Sequence, residues 1–222
     1  MAPCDTTLCI FVKAPQAGAV KTRLATTIGA ARAAELAEAF FWDTLALAER
    51  LVSARVVVAL SGDERLLPAV RGRVEVWPQG DGDLGDRLER NLRRALTQSA
   101  RAVVVGTDSP GLPVEYLTRA LAALETHDAV LGPADDGGFY LIGTKACPHG
   151  LLAGLPWSAD GTREKTLARL EGRGMTVGLL PPWFDVDHAT DLARLRSMLG
   201  ARTIAAPLTS RVLGINAAER EP

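Results

Sequence analysis

Short apolar runs alternate with amphipathic stretches along almost the whole chain. Leu8 to Val12, Val56 to Leu60, Val74 to Trp77, Val103 to Val105, Ala129 to Leu131, Phe139 to Ile142 and Val177 to Leu180 are dense in Val, Leu and Ile. Near-continuous apolar content of this kind predicts strands buried on both faces of a mainly parallel sheet. The stretches between them carry helical spacing. Val114, Leu117, Leu121 and Leu124 share one face, Leu84, Leu88, Leu92 and Leu96 form a similar stripe, and so do Leu192, Leu195 and Leu199. Ala30 to Leu51 is rich in Ala, Leu and Glu, which favour helix. Strands alternating with helices predict a layered α/β domain with right-handed crossovers. The segment after Leu199 loses this periodicity, so one domain over residues 1–200 is expected, with residues 201–222 as a partly mobile tail.

Bulk composition excludes several classes. The 222 residues are 47% hydrophobic with a net charge of −1, enough apolar material for one core and no basic field for nucleic acid or an anionic membrane. A phosphate site would have to come from a few placed cations. The cysteines, Cys4, Cys9 and Cys147, are odd in number and form no Cys-x-x-Cys pair, so reduced thiols are expected rather than disulfides or zinc. With no secretion signal or membrane-spanning run, the expected location is cytoplasmic.

Candidate chemistry sits in the turns that follow the predicted strands, where open α/β sheets bind their ligands. After Leu8 to Val12 comes a loop containing Pro15, Gly18, Lys21, Thr22 and Arg23. Gly18 permits close backbone approach to phosphate, Arg23 suits two phosphate oxygens, and Lys21 is a point charge. A surface loop with paired cations is the alternative. The Walker pattern is excluded, because Pro15 and Val20 stand at its two glycine positions.

Asp108 follows Val103 to Val105 through Gly106 and Thr107, either as a ligand for Mg²⁺ on a diphosphate or as the head of an Asx-type turn. Asp185 and Asp187 precede the last periodic helix, and either would serve as its N-cap. The alternation of extended chain is taken to send one of them toward Asp108, and Asp187 is chosen as the second metal ligand. Asp135-Asp136-Gly137-Gly138 reads as a hairpin turn that also admits a ligand. The turn from Gln79 to Leu88, with Gly85 and Arg87, would wrap a base or sugar, with Asp83 as a helix cap. His127, His149 and His188 are scattered, and no Gly-x-Ser-x-Gly or Gly-x-Gly-x-x-Gly pattern occurs. Trp42 reads as a core residue.

Five ordered motifs carry a family resemblance. They are Pro15-x-x-Gly18-x-Val20-Lys21-Thr22-Arg23-Leu24, Asp83-Leu84-Gly85-x-Arg87-Leu88, Gly106-Thr107-Asp108-Ser109-Pro110-x-Leu112-Pro113, Asp135-Asp136-Gly137-Gly138-x-Tyr140-x-Ile142-Gly143 and Asp185-Val186-Asp187-x-x-x-Asp191-Leu192. From Leu8 to Leu199 the chain resembles the bacterial glycosyltransferase A-type, nucleotide-diphospho-sugar transferase-like family, often labelled simply glycosyltransferases. More distantly it is similar to phospholactate guanylyltransferases and molybdenum-cofactor nucleotidyltransferases. The resemblance implies a three-layer α/β/α, Rossmann-like sandwich with a mixed, mostly parallel sheet. It implies phosphate binding by the loop from Gly18 to Arg23, metal binding by Asp108 and Asp187, and an acceptor pocket bordered by Asp136, Gly137 and Gly138. His188 stands where relatives carry Thr, and of the nucleotidyltransferase signature Gly-x-Gly-Thr-Arg only Thr22-Arg23 match.

These readings combine into a transferase dependent on Mg²⁺ or Mn²⁺, acting from a nucleotide donor onto a small acceptor. Lys21, Arg23 and Asp108 are its expected catalytic groups, and a homodimer is compatible with it. Nucleotidyl transfer from an NTP is slightly favoured over glycosyl transfer from a nucleotide sugar, and a non-catalytic nucleotide-binding module is the rival.

Overall fold

The computed structural model describes residues 5–157 and 161–215. Seven strands form one sheet: β1 (Thr6–Lys13), β2 (Ala54–Ser61), β3 (Glu75–Pro78), β4 (Arg101–Gly106), β5 (Ala129–Pro133), β6 (Phe139–Thr144) and β7 (Val177–Leu179). Their order is β3-β2-β1-β4-β6-β5-β7, and β6 alone runs antiparallel to its neighbours. All seven coincide with the apolar runs of the sequence, and the sheet is mixed and mostly parallel as expected.

Alternation along the strands builds two cores. Leu8, Ile10, Val12, Val103 and Val105 face α2 (Ala30–Ala48) and α4 (Val114–Thr126), packing on Phe41, Leu45, Leu117 and Leu124. Cys9, Val57, Ala59, Ala102 and Val104 face the other way, onto Leu88, Leu92 and Ala95 of α3 (Leu84–Leu96) and Leu170 of α5 (Thr162–Gly172). The result is a helix–sheet–helix sandwich whose central strands are buried on both sides.

A third cluster lies beyond the carboxyl ends of the strands. Leu24 of α1 (Thr22–Ile28), Leu36 and Phe40 of α2, Phe184 and Val186, and the Leu192, Leu195 and Leu199 stripe of α6 (Ala189–Gly200) close around one another. Leu213 of α7 (Pro207–Leu213) joins them. The stretch read from the sequence as the start of a mobile tail therefore holds a packed helix. Asp43 on α2 fixes it, accepting from the backbone N–H of Leu208 (3.0 Å) and Thr209 (2.8 Å) and from the Thr209 hydroxyl (2.7 Å). Residues 216–222, the remainder of that expected tail, lie outside the described residues.

Cys9 is fully buried and Cys147 partly so, both as free thiols; Cys4 lies outside the described residues. Burial pushes both thiols above their ordinary value, Cys147 up to about 12. Among the described residues no helix is long and apolar enough to cross a membrane. Trp42 packs partly buried against the first core, with the Arg73 guanidinium 5.8 Å from its ring centroid.

Glu89 on α3 is buried, and its carboxylate receives the N–H groups of Gly150 (2.7 Å) and Leu152 (3.2 Å). Hydrogen bonds to a charged acceptor contribute about 1.5–3 kcal/mol each, and the two donors would be stranded without it. Glu89→Ala is expected to lose about 3 kcal/mol of stability, read as a lower urea midpoint at unchanged slope. An unchanged midpoint would show that water replaces the carboxylate.

Candidate active site

The strand order reverses direction of growth at β1, with β2 on one side and β4 on the other. A crevice opens at such a point, outside the carboxyl ends of the strands. Three turns line it.

The first follows β1. Ala19 and Val20 donate to the Gln16 carbonyl (3.0 and 3.3 Å), and Lys13 Nζ donates to the Ala19 carbonyl (2.9 Å). Gly18 holds φ +79° in open space, so it is there for its backbone conformation rather than for clearance. Lys21 is also left-handed, φ 46° and ψ 43°, and is the N-cap of α1. That conformation costs a side-chain-bearing residue ~1 kcal/mol and persists where surroundings impose it.

Those surroundings are two carboxylates. Lys21 Nζ lies 2.6 Å from Asp108 Oδ1 and 2.9 Å from Asp187 Oδ1, and its side chain is 4% exposed against 55% and 37% for the aspartates. The ring of Phe40 lies 5.7 Å from the ammonium. Burial drives the ammonium toward its neutral form, but the charges and hydrogen bonds of Asp108 and Asp187 outweigh it and hold Lys21 above the ordinary lysine value.

The second and third turns, after β4 and before α6, are tied directly. The Val186 N–H donates to the Asp108 carbonyl (2.8 Å), and the Ser109 hydroxyl donates to Asp185. Asp191 accepts the N–H groups of Asp187 (3.1 Å) and His188 (2.7 Å), so the α6 terminus is capped from within the helix. Asp185 and Asp187 both face the cleft. The expectation that only one would do so is corrected: residues two apart in extended chain lie on the same side. Burial pushes Asp185 up to about 7, with Ser109 and Lys21 opposing and the charges of Asp108 and Asp136 adding to the rise.

The cleft has two joined parts that share Lys13, Lys21, Leu84, Asp108, Phe139, Asp185 and Asp187. One, of about 360 Å³, is walled by Phe11, Leu84, Leu88, Phe139 and Tyr140. The other, about 800 Å³, is lined by Thr22, Arg23, Asp136, Gly138, Trp157 and Thr162. Phe139 and Trp157 meet edge to face, centroids 6.1 Å apart.

Thus Lys21, Thr22, Arg23, Asp108, Asp136, Gly138, Asp187 and Gln79 all border the cleft, whereas Pro15, Gly18, Gly85, Arg87 and Gly137 are not among its lining residues. Gln79 is buried, and its amide nitrogen is bound to the Val12 (3.1 Å) and Ala59 (3.0 Å) carbonyls while its oxygen accepts from Arg87 (3.2 Å). It braces the ends of β1 and β2. Gly85 is packed so closely that a Cβ would lie 2.5 Å from the Leu152 carbonyl. Asp83 and Asp86 form a reciprocal capping box at the start of α3, the structural role foreseen for Asp83. The Asp135 to Gly138 stretch is a hairpin turn, with Gly137 at φ +86° and Asp136 accepting from the Gly138 N–H (2.8 Å). Lys13, Phe139 and Trp157 were missed by motif reading; Lys13, the last residue of the strand before the phosphate-type loop, carried a positional signal.

Comparison with known proteins agrees with this architecture. A family described as "Uncharacterized protein conserved in bacteria (DUF2064)" matches residues 44–159. A crystal structure from Desulfovibrio desulfuricans G20, named as a nucleotide-diphospho-sugar transferase, shares 32% identity over 96% of each chain with a TM-score of 0.86. A CMP-2-keto-3-deoxy-manno-octonic acid synthetase complexed with CTP has 11% identity and a TM-score of 0.58, covering 89% of this chain and 99% of its own. Rv0371c from Mycobacterium tuberculosis H37Rv, in complex with manganese, has 18% identity and a TM-score of 0.54, covering 86% and 97%. No curated protein matches. The fold is that of the nucleotide-diphospho-sugar transferases.

A carboxyl raised as Asp185 is keeps its proton in the folded state between about pH 4, its ordinary value, and about pH 7. The folded state then binds more protons than the unfolded one, so this stabilisation is full at low pH and lost as pH rises through the folded value. In EDTA, Asp185→Asn is expected to melt about 2–4 °C higher than wild type at pH 8 and to match it at pH 4. A wild type and variant that differ equally at both pH values would contradict the assignment.

Proposed function

The chain belongs to the DUF2064 family of bacterial proteins, and from its likeness to the 32% identical transferase structure and the cleft's geometry we propose a nucleotide-dependent transferase that uses Mg²⁺ or Mn²⁺. The observation that carries the reading is the array of Asp108, Lys21 and Asp187 at the carboxyl ends of β1 and β4. The apolar wall of Phe11, Leu84, Leu88 and Phe139 suits a nucleobase, and Lys13, Lys21 and Arg23 suit its phosphates. Asp136, Gly138 and Trp157 border the acceptor's side.

The donor set fits a hard divalent ion. Lys21 contacts one oxygen of Asp108 and one of Asp187, so each carboxylate keeps a second. Among the described residues no group of three His, Cys, Asp or Glu side chains forms a protein-only cage. That accords with Mg²⁺, which is usually held by one or two carboxylates together with substrate phosphates. When bound, the ion would neutralise phosphate charge. Rv0371c, of the same fold, binds manganese.

The chemistry needs positioning and electrostatics more than a nucleophilic side chain. In nucleotidyl transfer, an acceptor oxygen attacks the α-phosphorus of an NTP, a new P–O bond forms, and the bond to the β-phosphate breaks to release pyrophosphate. Lys21 and Arg23 would stabilise the charge that grows on the leaving group. The adjacent cations of the Lys21-Thr22-Arg23 loop favour this triphosphate donor. A nucleotide-sugar donor, with attack at the anomeric carbon, is the second reading, favoured by the name of the 32% identical structure.

Product analysis separates them: pyrophosphate marks nucleotidyl transfer and a nucleoside diphosphate marks glycosyl transfer. Asp108→Asn is expected to lower turnover by about a hundredfold or more, the scale of one lost electrostatic contact in a transition state. Full metal-dependent turnover in that variant would refute the assignment of Asp108.

A further inference from the structure

A metal-binding carboxylate pair is ordinarily open to solvent cations, yet here an ammonium from the same chain stands between the two. We propose that Lys21 is a tethered counter-cation that keeps Asp108 and Asp187 from taking up a divalent metal until nucleotide phosphates draw its ammonium away. The proposal rests on the transferase reading above and adds an order of binding to it.

Four observations carry it. The Lys21 ammonium is within 3 Å of an oxygen on each carboxylate, 2.6 and 2.9 Å. Its side chain is 4% exposed while both partners remain open to the cleft. The residue is held left-handed at the N-cap of α1 and makes no side-chain cap bond, its ammonium going to the two carboxylates instead. Finally, Lys21 and Arg23 lie together along the cleft, so phosphates seated by Arg23 would lie within the reach of a swinging lysine.

The physics is exchange of one cation for another. A free divalent ion must either expel the ammonium into solvent or bind beside it, and each route costs binding energy. A nucleotide changes the balance because its phosphates offer the ammonium a new anionic partner and offer the metal additional oxygens. Metal and nucleotide would then enter together, and the apo protein would not be occupied by free metal. The coupling must be reciprocal, each ligand tightening the other by the same factor.

The test is Mn²⁺ titration of the full chain, followed by the electron paramagnetic resonance of free Mn²⁺. Wild type is expected to bind Mn²⁺ weakly alone and, after subtracting the Mn²⁺ that the nucleotide holds in a protein-free control, at least about tenfold more tightly with one of the ribonucleoside triphosphates or nucleotide sugars. Lys21→Met is expected to bind Mn²⁺ alone at least about tenfold more tightly than wild type, with the gain abolished by adding Asp108→Asn. Should Lys21→Met fail to fold, Lys21→Gln is titrated in its place with the same expectation. A wild type that responds to nucleotide beside a folded Lys21→Met no tighter for Mn²⁺ overturns the counter-cation and leaves the transferase reading standing. A folded Lys21→Gln no tighter for Mn²⁺ than wild type does the same. A wild type whose Mn²⁺ affinity responds to none of the triphosphates and none of the nucleotide sugars overturns both.

Discussion

The site depends on one buried ammonium. Lys21 joins the start of α1 to the turn after β4 and to the segment before α6, three pieces of chain that no strand pairing connects. Removing one partner from a fully buried pair costs about 3–5 kcal/mol. Asp108 and Asp187 are 55% and 37% exposed, so solvent screening brings this array to the low end of that range or below. The backbone bond from Val186 to Asp108 and the hydroxyl bond from Ser109 to Asp185 hold the same turns independently of Lys21.

The sheet explains why these turns meet. β1, β2, β4 and β5 run the same way, so their carboxyl ends share one edge. β6 runs opposite and begins at that edge, which delivers Phe139 to the cleft straight from the Asp135 to Gly138 hairpin. One antiparallel strand thus supplies the aromatic wall that a parallel one would place at the far end. Phe40, one of the cluster that includes Leu24, Val186 and Leu195, lies 5.7 Å from the Lys21 ammonium.

Most of the fold was legible because the central strands are buried on both faces and read as apolar runs, and the short edge strands β3 and β7 still carry Val, Trp and Leu. Helix α5 was not, since it buries only Thr162, Thr166 and Leu170 and reads as a polar segment. Helix α7 was missed for a similar reason: its seven residues depend on Asp43, far away on α2, for their cap. Of the residues singled out by motif and position, Lys21, Arg23, Asp108, Asp136 and Asp187 line the cleft. Asp185 was set aside because strand alternation was applied to residues two apart. The pairing of Lys21 with Asp187 spans 166 positions, and no local pattern reports a contact of that range. Gln79 was read as a base contact, but its polarity serves the carbonyls at the ends of β1 and β2.

The most direct measurement is the melting temperature of the wild-type protein against a panel of NTPs and nucleotide sugars, each with Mn²⁺ and with EDTA. A ligand that binds only the folded state at a hundred times its dissociation constant stabilises by about 2.7 kcal/mol. For a domain of this size that is a rise of roughly 5–10 °C. One donor class is expected to give that rise, with Mn²⁺ and far less with EDTA. No rise with any donor, or the same rise in EDTA, would contradict a metal-assisted nucleotide site in this cleft.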